Sequence, residues 1–159
     1  MKKSLLIVAF AIVSIGAFSQ LGGIFSSGLV KGAYQTEMKR FGIGAELRYD
    51  LPSNFRLAPD VMFFFPKDHN TGLDINVNAQ YLLNIADERF SLYPLAGINM
   101  SNNRFSYEGY SSSNTDFGFN LGIGGEYNLD SKSFLSAEFR YTFNDWDYAQ
   151  FSVGYGLKF

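Results

Sequence analysis

The chain has 159 residues, a formal charge of -2, no cysteine and 18% aromatic residues, including 17 Phe and 10 Tyr beside 16 Gly. Without a basic excess it is not built to hold nucleic acid, and without Cys it has no disulfide framework, thiolate metal ligand or thiol nucleophile. Aromatic and glycine richness favours strands and tight turns over helices.

Lys2 and Lys3 precede an apolar run from Leu5 to Ile15, and Ala17-Phe18-Ser19 forms a small-x-small site. This predicts a cleaved secretory signal over residues 1–19 and one mature domain over 20–159. The apolar run falls well short of the roughly 20 residues of a spanning helix. No later segment reaches that length, so the mature chain is either soluble or crosses a membrane as strands.

The first mature strand, within residues 21–34, is interrupted by Gly22, Gly23, Gly28 and Gly32 and carries Lys31 on one parity, Val30 and Tyr34 on the other. A polar loop over 35–39 follows. From there alternation is clean: Phe41, Ile43, Ala45, Leu47, Tyr49 and Leu51 stand opposite Gly42, Gly44, Glu46, Arg48 and Asp50. Strict alternation means a strand with two different faces. After a turn at 52–54, Leu57, Val61, Phe63 and Phe65 oppose Arg56, Ala58, Asp60, Met62 and Phe64, and Pro59, which has no N–H, marks a bulge or an unpaired position. A second polar loop over 66–71 leads to one long strand, with Leu73, Ile75, Val77, Ala79, Tyr81, Leu83 and Ile85 alternating with Asp74, Asn76, Asn78, Gln80, Leu82 and Asn84.

Beyond a turn at 86–89, residues 90–102 place Leu92, Ala96, Ile98 and Met100 outward. Residues 103–115, with Tyr107, Tyr110 and Ser111 to Ser113, read as the longest loop. Phe117, Phe119, Leu121, Ile123, Tyr127 and Leu129 then oppose glycines, Asn120, Glu126 and Asn128, and a turn at 130–133 follows. Leu135, Ala137, Phe139, Tyr141 and Phe143 oppose Ser136, Glu138, Arg140 and Thr142. After a loop at 144–148 the last strand sets Phe151, Val153, Tyr155, Leu157 and Phe159 against Ser152, Gly154, Gly156 and Lys158.

Eight strands emerge, with short turns at one end and longer loops at the other. The short turns share an apolar residue before and a Phe after, as in Leu51 and Phe55, Ile85 and Phe90, Leu129 and Phe134, which suggests an interfacial girdle. Eight strands enclose room only for modest side chains, so the Gly-rich polar face belongs inside and the bulky apolar face outside, against lipid. A strand of about ten residues, tilted near 40°, covers roughly 25 Å, the height of a barrel's apolar band. Glu46, Arg48, Asp74, Glu126, Glu138, Arg140 and Lys158 all fall on the inner parity, and a Lys or Arg on the lipid face would cost about 2–4 kcal/mol at midplane.

These features resemble the small outer-membrane β-barrels of the outer-membrane protein X, OmpA-barrel and opacity-protein kind. The resemblance implies an all-β, eight-stranded antiparallel up-and-down transmembrane barrel in the cell outer membrane, with periplasmic termini and a monomeric state. It implies Phe151, Val153, Tyr155, Leu157 and Phe159 as the signal read by the barrel-assembly machinery. The sequence stops at Phe159, so the peptidoglycan-binding domain that follows the barrel in OmpA-type proteins is not expected.

Glu46, Arg48, Glu126, Glu138 and Arg140 are expected to form a lumen charge network that fills the barrel; a gated ion path is the other reading. The function expected is structural or adhesion-like, with lipopolysaccharide and outer-membrane lipid around the wall and a host or surface ligand at the outer loops. A lipid-modifying enzyme, transferring or removing lipid A acyl groups, is the alternative, resting on His69 between Asp68 and Asn70, with Ser111 to Ser113 able to approach it but surrounded by no nucleophile motif. A soluble lipocalin-like ligand-binding barrel is third. Trp146 and Tyr148 fit an interfacial belt; Tyr107 and Tyr110 fit a belt or a contact surface. The sequence has no metal cluster, phosphate loop or nucleotide fingerprint, so no cofactor is expected.

Overall fold

The computed structural model describes residues 24–67, 69–85, 89–107 and 110–159, and at 106, 107, 110 and 111 the backbone alone. The predicted signal over 1–19, the first residues of the first strand, Asp68 and most of the 86–89 turn lie outside these residues, as do the side chains of Tyr107, Tyr110 and Ser111.

Alternation becomes antiparallel strand throughout. The strands are β1 (Ser27–Gln35), β2 (Arg40–Asp50), β3 (Phe55–Lys67), β4 (Asn70–Tyr81), β5 (Leu83–Ile85), β6 (Phe90–Tyr107), β7 (Tyr110–Asn128), β8 (Ser133–Phe143) and β9 (Tyr148–Lys158). β1 pairs with both β2 and β9, and β4 pairs with β6, so the sheet closes on itself. The single strand expected from Leu73 to Ile85 is divided at Leu82, whose N–H donates to the Asn54 carbonyl at 2.8 Å in the neighbouring turn. β4 and β5 therefore share one stave, and the barrel has eight.

Parity sets the two faces as expected. Phe41, Val61, Ile98, Phe117 and Val153 point outward and are exposed, Phe117 at 75%. Glu46, Arg48, Asp74, Asn76, Asn78, Gln80, Asn120 and Arg140 point inward and are buried. A continuous apolar outer wall of this kind drives aggregation in water and is what a bilayer requires.

Inside, large and small residues are matched across neighbouring strands. Gly42 lies beside the Phe64 ring, where an added Cβ would come within 2.7 Å of it, and Gly44 lies against Met62. Gly156 faces the ring of Phe134. The lumen thus contains an apolar cluster of Ala33, Met62 and Phe64 besides its polar groups.

Pro59 keeps its place opposite Val77 in the ladder to β4, but pairing to β2 stops at Glu46 with Asp60 and resumes only at Tyr49 with Leu57. The missing N–H leaves β2 unpaired there. A register shift between Phe64 and Lys67 falls instead around Pro66.

Four expectations are corrected. The loop expected over 66–71 shrinks, because β3 runs to Lys67 and β4 starts at Asn70. The longest loop, expected over 103–115, is a hairpin extension of β6 and β7, with register maintained from Asn103 and Asn114 out to Tyr107 and Tyr110. On both faces of its described part, Arg104, Phe105 and residues 112 to 115 are exposed, so it needs no apolar alternation; polar pairs such as Asn102 Nδ2 to Thr115 Oγ1, 2.8 Å, span its base. Phe134 does not join the girdle with the exposed Phe55 and Phe90: it is fully buried in the lumen, in the space left by Gly156. Tyr148 is not a belt residue either. It opens β9 on the inner parity and is 5% exposed, whereas Trp146 is 62% exposed.

The turn from β7 to β8 is held by Asp130, whose carboxylate accepts the Ser133 hydroxyl at 2.6 Å and the N–H groups of Lys132 and Ser133 at 2.7 and 2.8 Å. The Ser133 hydroxyl and these amides keep the Asp130 carboxyl below its ordinary range.

Candidate functional site

The inner parity of five strands brings nine charged side chains into one connected chain across the lumen. At the end carrying the chain terminus, Arg56 of β3 donates from Nε to Asp50 at 2.7 Å and from Nη1 to Glu126 at 2.9 Å. Glu126, from β7 on the far wall, also accepts Arg48 Nη1 at 2.6 Å. Arg48 Nε reaches Glu46 at 2.8 Å, one inward position along β2, and Glu46 in turn accepts Lys31 Nζ at 2.6 Å. Lys31 lies 3.5 Å from Asp60 and 3.9 Å from Glu138. Arg140 of β8 completes the chain, at 2.8 Å from Asp60 and 3.9 Å from Glu138.

Aromatic rings pack against the cations. The Arg48 guanidinium sits 4.8 Å from the Phe134 ring centroid and 5.7 Å from that of Tyr93. The Tyr93 hydroxyl shares a 3.1 Å hydrogen bond with Ser136 and donates to Glu138 at 3.3 Å. Such charge-assisted contacts in a low-dielectric interior offset the desolvation of the ions when geometry is good and the remaining donors are used; here Arg140 Nε and Glu138 Oε1 are buried without a hydrogen bond.

Above the ions, toward the hairpin end, amides take over. Asp60 accepts Asn76 and Asn78 at 2.8 and 3.1 Å, and Asn76 Oδ1 accepts both Asn99 and Asn120 at 2.8 and 2.9 Å. Higher still, the Tyr148 hydroxyl donates to Asp74 at 2.6 Å. Arg40 stacks over Phe64 at 4.9 Å and donates to Gln35 and Asn103.

All five charges expected in the lumen from sequence lie in this chain. Lys31, Asp50, Arg56 and Asp60 were not grouped with them. Lys31 is its centre, but it stands in the glycine-interrupted first strand, where alternation is faint. Asp60 and Arg56 share the inner parity of β3, a signal that could have found them. Lys158, also on the inner parity, has no ion pair among those described.

The hairpin end carries the other candidates. His69 is exposed, has φ 66°, and its ring lies 6.3 Å from that of Phe105. Ser112 is opposite Phe105 in the register, so the β6 strand lies between His69 and the serines. Trp146 is presented by a turn in which Asn144 Oδ1 accepts its N–H at 2.9 Å. In β9, Phe151, Val153 and Tyr155 are exposed on the outer wall with Leu157 half-buried; Phe159, just past the strand, is exposed and its N–H donates to Ser26 at 3.0 Å.

A closed antiparallel barrel with an apolar outer wall agrees with comparison against known proteins, where the family described as outer membrane protein beta-barrel domain matches residues 7–159. The chain belongs to that family. It is accordingly an outer-membrane barrel, and the lipid that its wall requires is that membrane. Among solved structures, Neisserial surface protein A is similar at 18% identity and a TM-score of 0.70, covering 86% of this chain and 97% of that one. The N-terminal barrel of Pseudomonas aeruginosa OprF is similar at 16% identity and 0.71, covering 86% and 99%. Ail, the attachment invasion locus protein of Yersinia pestis, follows at 20% and 0.63, covering 86% and 99%. At these identities the likeness is one of fold. No curated protein matches the chain.

Proposed function

We propose that this outer-membrane barrel is a structural surface protein with an adhesion-like role, that its hairpin end faces the cell exterior, and that its lumen is sealed by the ion-pair chain. The observation that carries the surface role is the unequal height of the wall. β7 pairs with β8 only from Phe119, opposite Phe143, so residues 110–118 have no strand on that side. At roughly 3.4 Å per residue, about 30 Å of strand edge is open. An open edge offers main-chain N–H and C=O groups to an extended partner.

Ail, similar in fold, has been solved with the heparin analogue sucrose octasulfate, which supports a surface-ligand role for barrels of this shape. The position of β6 between His69 and the serines favours a non-enzymatic role over lipid A acyl chemistry. β9 and the residue after it, with Phe151, Val153, Tyr155, Leu157 and Phe159, form the proposed segment read by the assembly machinery, after removal of residues 1–19.

The test is to replace residues 104–113 with Asn-Gly, joining Asn103 to Asn114 by a two-residue turn. Cells displaying either barrel are then applied to surfaces coated with heparin or with extracellular matrix protein. The wild-type barrel should retain cells and the trimmed one should not, although both remain folded and heat-modifiable on gels. Equal retention, or none by either, would refute the surface role. Lipid A acyl patterns should be the same with wild-type, His69→Ala and no barrel.

A further inference from the structure

We propose that the open edge of β7 selects an extended peptide that runs antiparallel to β7 and carries Lys or Arg at its N-terminal end, with Asp116, Asp145 and Asp147 making the selection. This rests on the proposed role of the hairpin end as a surface for an extended partner, and adds the direction and the charge of that partner.

β8 stops beside β7 at the pair of Phe143 with Phe119. The chain then leaves the sheet at Asn144, which lies so close to Gly118 that a Cβ there would come within 2.7 Å of the Asn144 Cβ. Asn144 therefore fills the place opposite Gly118, and a partner strand starts opposite Phe117. On its other side β7 pairs antiparallel with β6 from Tyr110 to Tyr127, and antiparallel ladders are slightly the more stable per residue. A partner antiparallel to β7 takes the direction of β8. Its N-terminal end thus stands on the turn between β8 and β9, and its C-terminal end points toward the hairpin tip.

The foot of this edge is acidic. Residues 110–118 and 144–148 contain Asp116, Asp145 and Asp147 and neither Lys nor Arg. Asp145 and Asp147 are exposed on either side of the exposed Trp146, and Asp147 Oδ1 accepts the Asn144 N–H at 3.0 Å, which holds it at the turn. The first partner position lies opposite Phe117, which is outward and exposed, and suits a β-branched or aromatic residue. The second lies opposite Asp116, whose Oδ1 accepts the Asn114 amide at 2.6 Å. Opposite charges directly across an antiparallel pair attract and like charges repel, so this position suits a cation. The partner's own α-ammonium group, over Asp145 and Asp147, adds charge of the same sign. Further out Ser113, Asn114 and Thr115 carry no charge, so the selection is made at the turn.

The test follows the fluorescence of Trp146, the only Trp in the chain, in the full-length folded barrel in neutral detergent. The probes are peptides of alternating Val and Thr with a free N-terminus that begin Val-Lys, begin Val-Glu or carry the Lys at the C-terminal end, a Val-Lys peptide N-methylated on alternate residues, and heparin. The Val-Lys peptide should bind about tenfold more tightly than the Val-Glu peptide, because facing like charges oppose association, and more tightly than the peptide with a C-terminal Lys. The N-methylated peptide cannot complete a ladder and should not bind. Asp116→Asn/Asp145→Asn should lose most of the preference for Lys over Glu while it still binds both peptides and keeps its heat-modifiable migration. Equal binding of the Val-Lys and Val-Glu peptides, equal binding of the C-terminal Lys peptide, binding of the N-methylated peptide or of heparin in place of the Val-Lys peptide, binding of none, or a preference unchanged in the double variant would overturn the proposal. Cell retention by the untrimmed barrel tests the surface role without these peptides, so the two readings fail separately.

Discussion

Arg48 and Glu126, from opposite walls of the barrel, meet at 2.6 Å inside the lumen, and both are also bonded elsewhere in the same chain of ions. Removing one member leaves buried charge uncompensated, a cost of about 3–5 kcal/mol. Arg48→Met should lower barrel stability by about that amount in urea unfolding from lipid vesicles. Adding Glu126→Gln should recover part of the loss. A double variant that loses the sum of two large single effects would show that the pair does not act as a unit.

The match between Gly156 and Phe134 gives a second test. A side chain at 156 collides with the buried ring, and overpacking typically costs about 1–3 kcal/mol. Gly156→Val should destabilise the barrel, and Phe134→Ala in the same chain should relieve much of the effect. If Gly156→Val were neutral alone, the ring would not occupy this space.

How much of this was legible in sequence depended on which face was buried. Where one face meets lipid and the other the lumen, as in β2, β4 and β9, strict alternation gave both the strand and its facing. Where residues on both faces are exposed, as at Arg104, Phe105 and residues 112 to 115 of the β6–β7 extension, alternation vanishes and polar strand reads as loop. The inward turn of Phe134 follows from parity after a tight turn, but its fit depends on Gly156, its partner on the neighbouring strand β9, and periodicity does not carry that register. The same holds for the ions. Alternation places Glu46 and Arg140 inside; only closure of the sheet decides that Lys31 stands between Glu46, Asp60 and Glu138.

Loss of Phe159 separates packing from recognition. A chain lacking Phe159 should refold in vitro into lipid nearly as well as wild type, since the ring is one of many on the outer wall. In cells it should reach the outer membrane poorly. Insertion at wild-type levels in cells would remove the recognition role and leave the barrel intact.

The Asp130 turn carries a pH signature. Its folded carboxyl is held below the unfolded value of roughly 3.9, so its stabilisation is present above that value and is lost as pH falls through the folded one. The difference in heat-modification temperature between wild type and Asp130→Asn should therefore be full at pH 7 and shrink as the pH falls below the unfolded value of roughly 3.9. A difference unchanged over that range would show that the carboxylate's hydrogen bonds do not stabilise the turn.

The central claim is that the ion-pair chain from Asp50 to Arg140 fills the lumen and seals it. Conductance of the purified, heat-modifiable barrel in planar lipid bilayers tests it most directly. The folded protein should give no sustained single-channel current. A steady, ohmic current from barrel shown to be folded would contradict the seal and make the lumen an ion path.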